Sequence, residues 1–159
     1  MKMGEKSMAW KQFPYPEKIY DYAGAALEAN WARLHRGDCE PFPADNKVQE
    51  AWRRYHAGDF GQAAEAGLAC SIAGYNVANK AATVYASYLE SDDGRKRSLL
   101  LEVARRCEEQ QRKAPDDASG WYLHAFALGR YSQSISVVKA LAEGLGGRIK
   151  HSLTQALQL

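Results

Sequence analysis

The sequence predicts an all-α protein made of antiparallel helical hairpins, and three observations carry that prediction. Apolar residues recur at i, i+3, i+4 and i+7 in one segment after another. No long run alternates apolar with polar residues, and no Asn-Gly hairpin turn occurs. The stretch YHAGDFGQAAEAGLAC, residues 55–70, closes one helical pattern at Gly58 and opens the next at Phe60, a link short enough to lay two helices antiparallel.

Taken in order, the first helix is expected from about Pro16 to His35, with Pro16 and Glu17 suited to a helix start. Ile19, Ala23, Ala26, Leu27, Trp31 and Leu34 form its apolar stripe, Asn30 interrupts it, and Gly37 lies just past its end. GDCEPFPAD then reads as a linker. The second helix, about Asn46 to Ala57, starts with Asn46 and Gln49 at capping-box spacing and repeats Val48, Ala51, Trp52 and Tyr55. Gly58 is expected to end it in the left-handed conformation that glycine tolerates. Phe60, Ala63, Ala64, Gly67, Leu68 and Ile72 mark the third helix, and small residues at Ala51 and Ala63 let the two backbones come close. Val77, Ala81, Val84, Tyr85, Tyr88 and Leu89 mark a fourth, which ESDDG breaks. A fifth runs from about Lys96 to Arg112 on Leu100, Val103, Ala104 and Cys107, and Pro115 with Asp116 closes it. A sixth, about Ala118 to Tyr131, carries Trp121, Tyr122, Ala125, Leu128 and Gly129. Ile135, Val138 and Ala142 suggest a short seventh, GLGG interrupts, and Ile149, Leu153, Ala156 and Leu157 mark an eighth.

The paired helices resemble the tetratricopeptide repeat, a helix–turn–helix unit of 34 residues. The resemblance rests on Ala51 at the small position of a helix A, GDF (58–60) in the turn and Ala63 at the small position of a helix B. KAPDDASGWYLHAFALG (113–129) is similar to the family's junction between units, with Pro115, Trp121 and Ala125 in place, and SLTQALQL looks like the end of a helix B. The chain departs from the pattern in three ways. The third unit starts near Ala118, later than a strict period allows, Tyr85 stands where a small residue is usual, and SQSISVVKALAEGLGG looks like an insertion. The expected architecture is an α-α superhelix of about three degenerate hairpins over 44–159. Residues 1–43 precede it as one capping helix, with Trp31, Leu27 and Ala23 on the first unit's apolar edge, and a Pro-rich linker. The array is expected to be truncated after Leu159 or to end there without a capping helix.

The resemblance implies a concave groove lined by the A helices. Its positions fall on Asp45, Val48, Trp52, Tyr55 and His56 in the first unit and on Asn79, Ala82, Ala86, Leu89 and Glu90 in the second. In the third they fall on Ser119, Tyr122, Phe126, Gly129 and Arg130. Trp52, Tyr55, His56, Asn79, Glu90, Tyr122, Phe126 and Arg130 are the expected partner-binding set, since rigid rings give large contact area at low entropic cost. The same rings belong to apolar stripes, so packing between helices competes with that role for each of them.

Composition sets the remaining expectations. Net charge is +2, from 21 basic and 19 acidic residues, which points to neither nucleic acid nor an anionic membrane. RKR (95–97), Arg105–Arg106 and Arg53–Arg54 sit among acidic neighbours and read as solvated helix faces. Three cysteines, Cys39, Cys70 and Cys107, are odd in number and widely spaced, which fits reduced thiols and a cytoplasmic protein. The first eighteen residues lack an apolar leader core, and nothing approaches a spanning helix. No metal motif, phosphate loop or catalytic constellation is present, His35 and Cys39 being separated by the helix-breaking Gly37, so no cofactor and no enzymatic activity are expected. His56, His124 and His151 are expected to be capped or solvent-facing. The expected role is a scaffold for a protein or peptide partner. Self-association through the last unit, and a helical ligand-binding or catalytic domain, are the alternatives.

Overall fold

A computed structural model describes residues 9–159; residues 1–8, on which part of the leader expectation rests, lie outside the described residues. Among the described residues the chain is all helical, with no strand. The α-helices are α1 (Ala26–Leu34), α2 (Asn46–His56), α3 (Phe60–Ala69), α4 (Tyr75–Tyr88), α5 (Asp93–Lys113), α6 (Ala118–Ser132), α7 (Val137–Ala142) and α8 (Leu145–Gln158). Short 3-10 turns cover Lys18–Tyr20 and Ser71–Gly74. No helix among the described residues is long and apolar enough to cross a membrane.

Aspartates start four of these eight helices. Asp45, Asp59, Asp92 and Asp117 each turn a side-chain oxygen onto a first-turn backbone N–H, and Ser136 does the same for α7. Such a cap satisfies a donor the helix cannot satisfy itself. The capping box expected at Asn46 is thereby corrected. Asp45 takes the cap at 2.7 Å from the Lys47 N–H, and Gln49 instead donates to the Pro43 carbonyl at 2.7 Å. The first helix is shorter than its apolar stripe. The chain turns at Gly24, whose φ is +60°, so the stripe's first residues fall outside α1 and Ile19 is exposed. GLGG interrupts less than its composition suggests, because only Gly144 adopts the left-handed conformation and α8 begins at Leu145.

The helices pack in chain order. α2 lies on α3, α3 on α4, α4 on α5, α5 on α6 and α6 on α8, and α4 also touches both α2 and α6. Two apolar cores result. One joins Val48, Ala51, Trp52, Ala63, Val77 and Ala81 with Leu27 and Trp31 of α1; the other joins Ala86, Leu100, Val103, Cys107, Leu123, Leu128 and Leu145. Trp10 packs against both, stacking on Tyr85 with ring centroids 4.4 Å apart, so the buried Tyr85 ring has a partner from the N-terminal segment. Gly67 and Gly74 meet where α3 hands over to α4. A Cβ on Gly74 would lie 1.9 Å from the Gly67 carbonyl oxygen, so the crossing requires the missing side chain. Gly58 adopts φ +85°, as its place in the turn predicts, and Phe13 packs over it. Burial pushes the Cys107 thiol up to about 12, leaving it a small apolar group of the core.

Candidate functional site

The first half of the site is built on α2. Its apolar stripe turns Trp52 inward, where it is 1 % exposed beneath the N-terminal segment. Trp31 and His35 come down on it edge-to-face, at 5.7 and 4.7 Å between centroids, while Tyr55 meets it at 5.4 Å. The Lys80 ammonium of α4 stands 5.8 Å from both the Trp52 and Tyr55 rings, within range of cation–π attraction. His56 faces His35 with their Nε2 atoms 3.0 Å apart, so one of the two nitrogens donates to the other. His35 Nδ1 lies 3.0 Å from Asp38 Oδ1, and Asp38 in turn pairs with Lys80. Burial opposes a charge on Asp38, but the His35 hydrogen bond and the Lys80 ammonium outweigh it and hold the carboxyl well below its usual range. Burial, reinforced by His35 and Lys80, brings His56 down to about 4, and burial raises Tyr55 to about 12.

The second half joins the linker to α4 and α6. The Glu40 carboxylate accepts from Asn76 Nδ2 at 2.9 and 3.1 Å and from Ser119 Oγ at 2.9 Å. Asn76 also donates to Asp117 at 3.1 Å, and Gln110 Nε2 donates to both Asn76 Oδ1 and Asp117 Oδ2. Burial raises the Glu40 carboxyl above its ordinary range, the Asn76 and Ser119 donors offset this in part, and neighbouring Asp117 and Asp38 add to it. The linker backbone is fixed as well, since Trp31 Nε1 donates to the Glu40 carbonyl at 2.7 Å. Asp38, Glu40, Trp52, Asn76, Lys80, Ser119, Tyr122 and Leu123 close around a void of only about 10 Å³. The N-terminal segment thus fills the space between the three helices, leaving room for about one water.

The sequence-predicted set divides in three. Trp52, Tyr55 and His56 cluster under α1 and the linker. Asn79 and Glu90 lie elsewhere and are buried. Asn79 Oδ1 accepts from Arg106 Nε at 2.7 Å between α4 and α5, and Glu90 accepts from the Tyr85 hydroxyl and the Asp92 N–H at the end of α4. Tyr122, Phe126 and Arg130 form one row along α6. Tyr122 is 46 % exposed and tilts over Phe126, and the Arg130 guanidinium stands 5.4 Å from the Phe126 ring. The histidine expectation is corrected in part. His151 is exposed, but His124 is buried against Ser152 and Glu108, and His56 is half-buried. Ala23 is exposed, whereas Leu27 and Trp31 are buried.

Sequence reasoning missed His35, Asp38, Glu40, Asn76 and Lys80 as one constellation. The only available signal was the closely spaced Asp38 and Glu40 in GDCEPFPAD, a stretch whose prolines mark it as a linker and nothing more. A second, larger concavity of about 800 Å³ lies between residues 10–16 and the start of α3, with Trp10, Phe13, Phe60 and Leu68 among its walls. Chemically, the α2–α4–α6 face offers neutral amide and hydroxyl donors, one ammonium and a row of rings, a set suited to holding carboxylates and apolar side chains. Comparison with family models, with curated proteins and with solved structures finds no match.

Proposed function

We propose that this protein is an interaction module, a short array of stacked helical hairpins similar in plan to tetratricopeptide repeats, that binds a peptide or helix of a protein partner across the α2–α4–α6 face. Packing chiefly between helices near in sequence supports the stacked plan, because each helix pair buries against the next. The observation that carries the binding role is that side chains of this face already grip a stretch of polypeptide, the linker around Glu40. Beside it, Tyr122, Phe126 and Arg130 present an aromatic and cationic row of the kind that anchors partners.

The test is selection of displayed peptides on the full chain, followed by Tyr122→Ala and Phe126→Ala. Binding should fall at least about tenfold, the usual scale of an anchoring residue, with thermal stability nearly unchanged. Peptides that bind both variants as they bind the wild type would refute the reading. A second reading, self-association, draws on Leu153, Leu157 and Leu159 of the last helical segment and Val137, Val138 and Leu141 of α7, all exposed. A concentration-dependent mass by light scattering that disappears in Leu157→Ser would favour it.

A further inference from the structure

The linker around Glu40 is held like a ligand, and it is held under strain. Besides the Trp31 bond to the Glu40 carbonyl, the grip is made by the side chains of two residues of like charge, two apart in the chain. Asp38 reaches Lys80 and His35, and Glu40 reaches Asn76 and Ser119. Between them Cys39 is exposed and sits at φ +52°, a left-handed conformation that costs a non-glycine residue energy. The Glu40 carboxylate shares its Asn76 donor with Asp117, so two like charges crowd one amide. Release of the segment would relieve both the backbone strain and the crowding. It would also open Lys80, Asn76 and Ser119 beside Tyr122, which extends the same face.

We infer that Asp38 and Glu40 are an intramolecular stand-in for a partner, and that the α2–α4–α6 face accepts in trans an acidic segment with two carboxylates two residues apart. This rests on the interaction reading above and specifies the partner's chemistry and its gate. A tethered segment competes at an effective concentration on the order of millimolar, so a free peptide meets a closed face. An incoming peptide that also covers Tyr122, Phe126 and Arg130 gains contacts beyond those Asp38 and Glu40 make.

The experiment uses the full chain and a fluorescent peptide of about a dozen residues carrying Asp-Ser-Glu-Pro-Phe. The variant Asp38→Asn with Glu40→Ala loosens the latch by removing the charge pairing with Lys80 and the contacts to Asn76 and Ser119. It should bind the peptide at least about tenfold tighter than the wild type, because more of it is open. Adding Lys80→Ala or Ser119→Ala should abolish that gain, and a peptide with Asn and Gln for its two acids should bind neither protein. In the wild-type chain, saturating acidic peptide should accelerate amide hydrogen exchange across residues 38–42, a readout that stands even where the variant folds poorly. Equal affinity for wild type and latch variant, or unchanged exchange at saturation, overturns the inference. Selected peptides that lack carboxylates yet depend on Tyr122 and Phe126 would overturn it while leaving the interaction reading intact. A face that selects no peptide at all, latched or loosened, would overturn both.

Discussion

The two ends of the helical stack treat the same problem in opposite ways. At the first hairpin, the outward side of α2 is covered. Leu27 and Trp31 of α1 are buried on it, and Phe13 and Trp10 wrap the α2–α3 turn and the α3 flank. At the last, α8 packs on α6 but leaves Leu157 88 % exposed, and α7 leaves Val138 77 % exposed. A helical hairpin has more than one apolar side, and packing on a single neighbour hides only part of it. The comparison teaches that covering is supplied by particular side chains from outside the helix pair, and that stability is therefore unevenly spread along the chain.

The largest expected effect breaks the covered end. Trp31→Ala removes a buried ring that touches Trp52, Phe42 and His35, and should cost about 3–5 kcal/mol in urea unfolding. A cost below about 1 kcal/mol would show the cover to be ornamental. Next comes the histidine pair beneath it. His56 titrates in the folded protein near 4, below its ordinary value of 6.5, so its contribution is complete above about pH 6.5 and lost as pH falls toward 4. Asp38, also depressed, loses its contribution at still lower pH. Glu40, raised, acts in the opposite sense, favouring the folded state in acid and losing that contribution as pH rises. The net loss from pH 6.5 to 4 should be on the order of 2 kcal/mol, His56 being only partly shielded from water, and His56→Gln should flatten the profile. A smaller step follows from Asp45→Ala, which removes the cap of α2 and should cost about 1 kcal/mol by thermal melting. The smallest effect belongs to the open end. Leu157→Ser should change monomer stability by less than about 0.5 kcal/mol, and a larger loss would mean that α8 is covered in solution.

How much of this was legible beforehand varies with range. The i, i+3, i+4 patterns located every helix from α2 to α6 within a few residues, because a helix closes its own hydrogen bonds and shows its buried side locally. The pattern overreached at Ile19 and Tyr88, both exposed, where apolar type and helical spacing agreed but no neighbour arrived. The resemblance placed Asn79 and Glu90 at the site by register alone, and the structure sets them at the α4–α5 contact and the α4 end, where each satisfies buried donors. The site itself was the least legible. Ser119 and Glu40 are 79 positions apart and Asn76 and Glu40 are 36 apart, and single polar contacts of that reach leave no periodic trace.

By itself, the sequence determined the helical class, the turn at Gly58 and the small residues that let α2 and α3 approach, since each follows from local conformational preference and local spacing. Tertiary structure alone decided that Trp10 would stack on Tyr85 and that a linker rich in proline would lie across three helices with Glu40 half-buried among their donors. The reason is physical. Backbone periodicity is set by neighbours a few residues away, whereas the resting place of an irregular segment is chosen by whichever distant surface best satisfies its charges and rings.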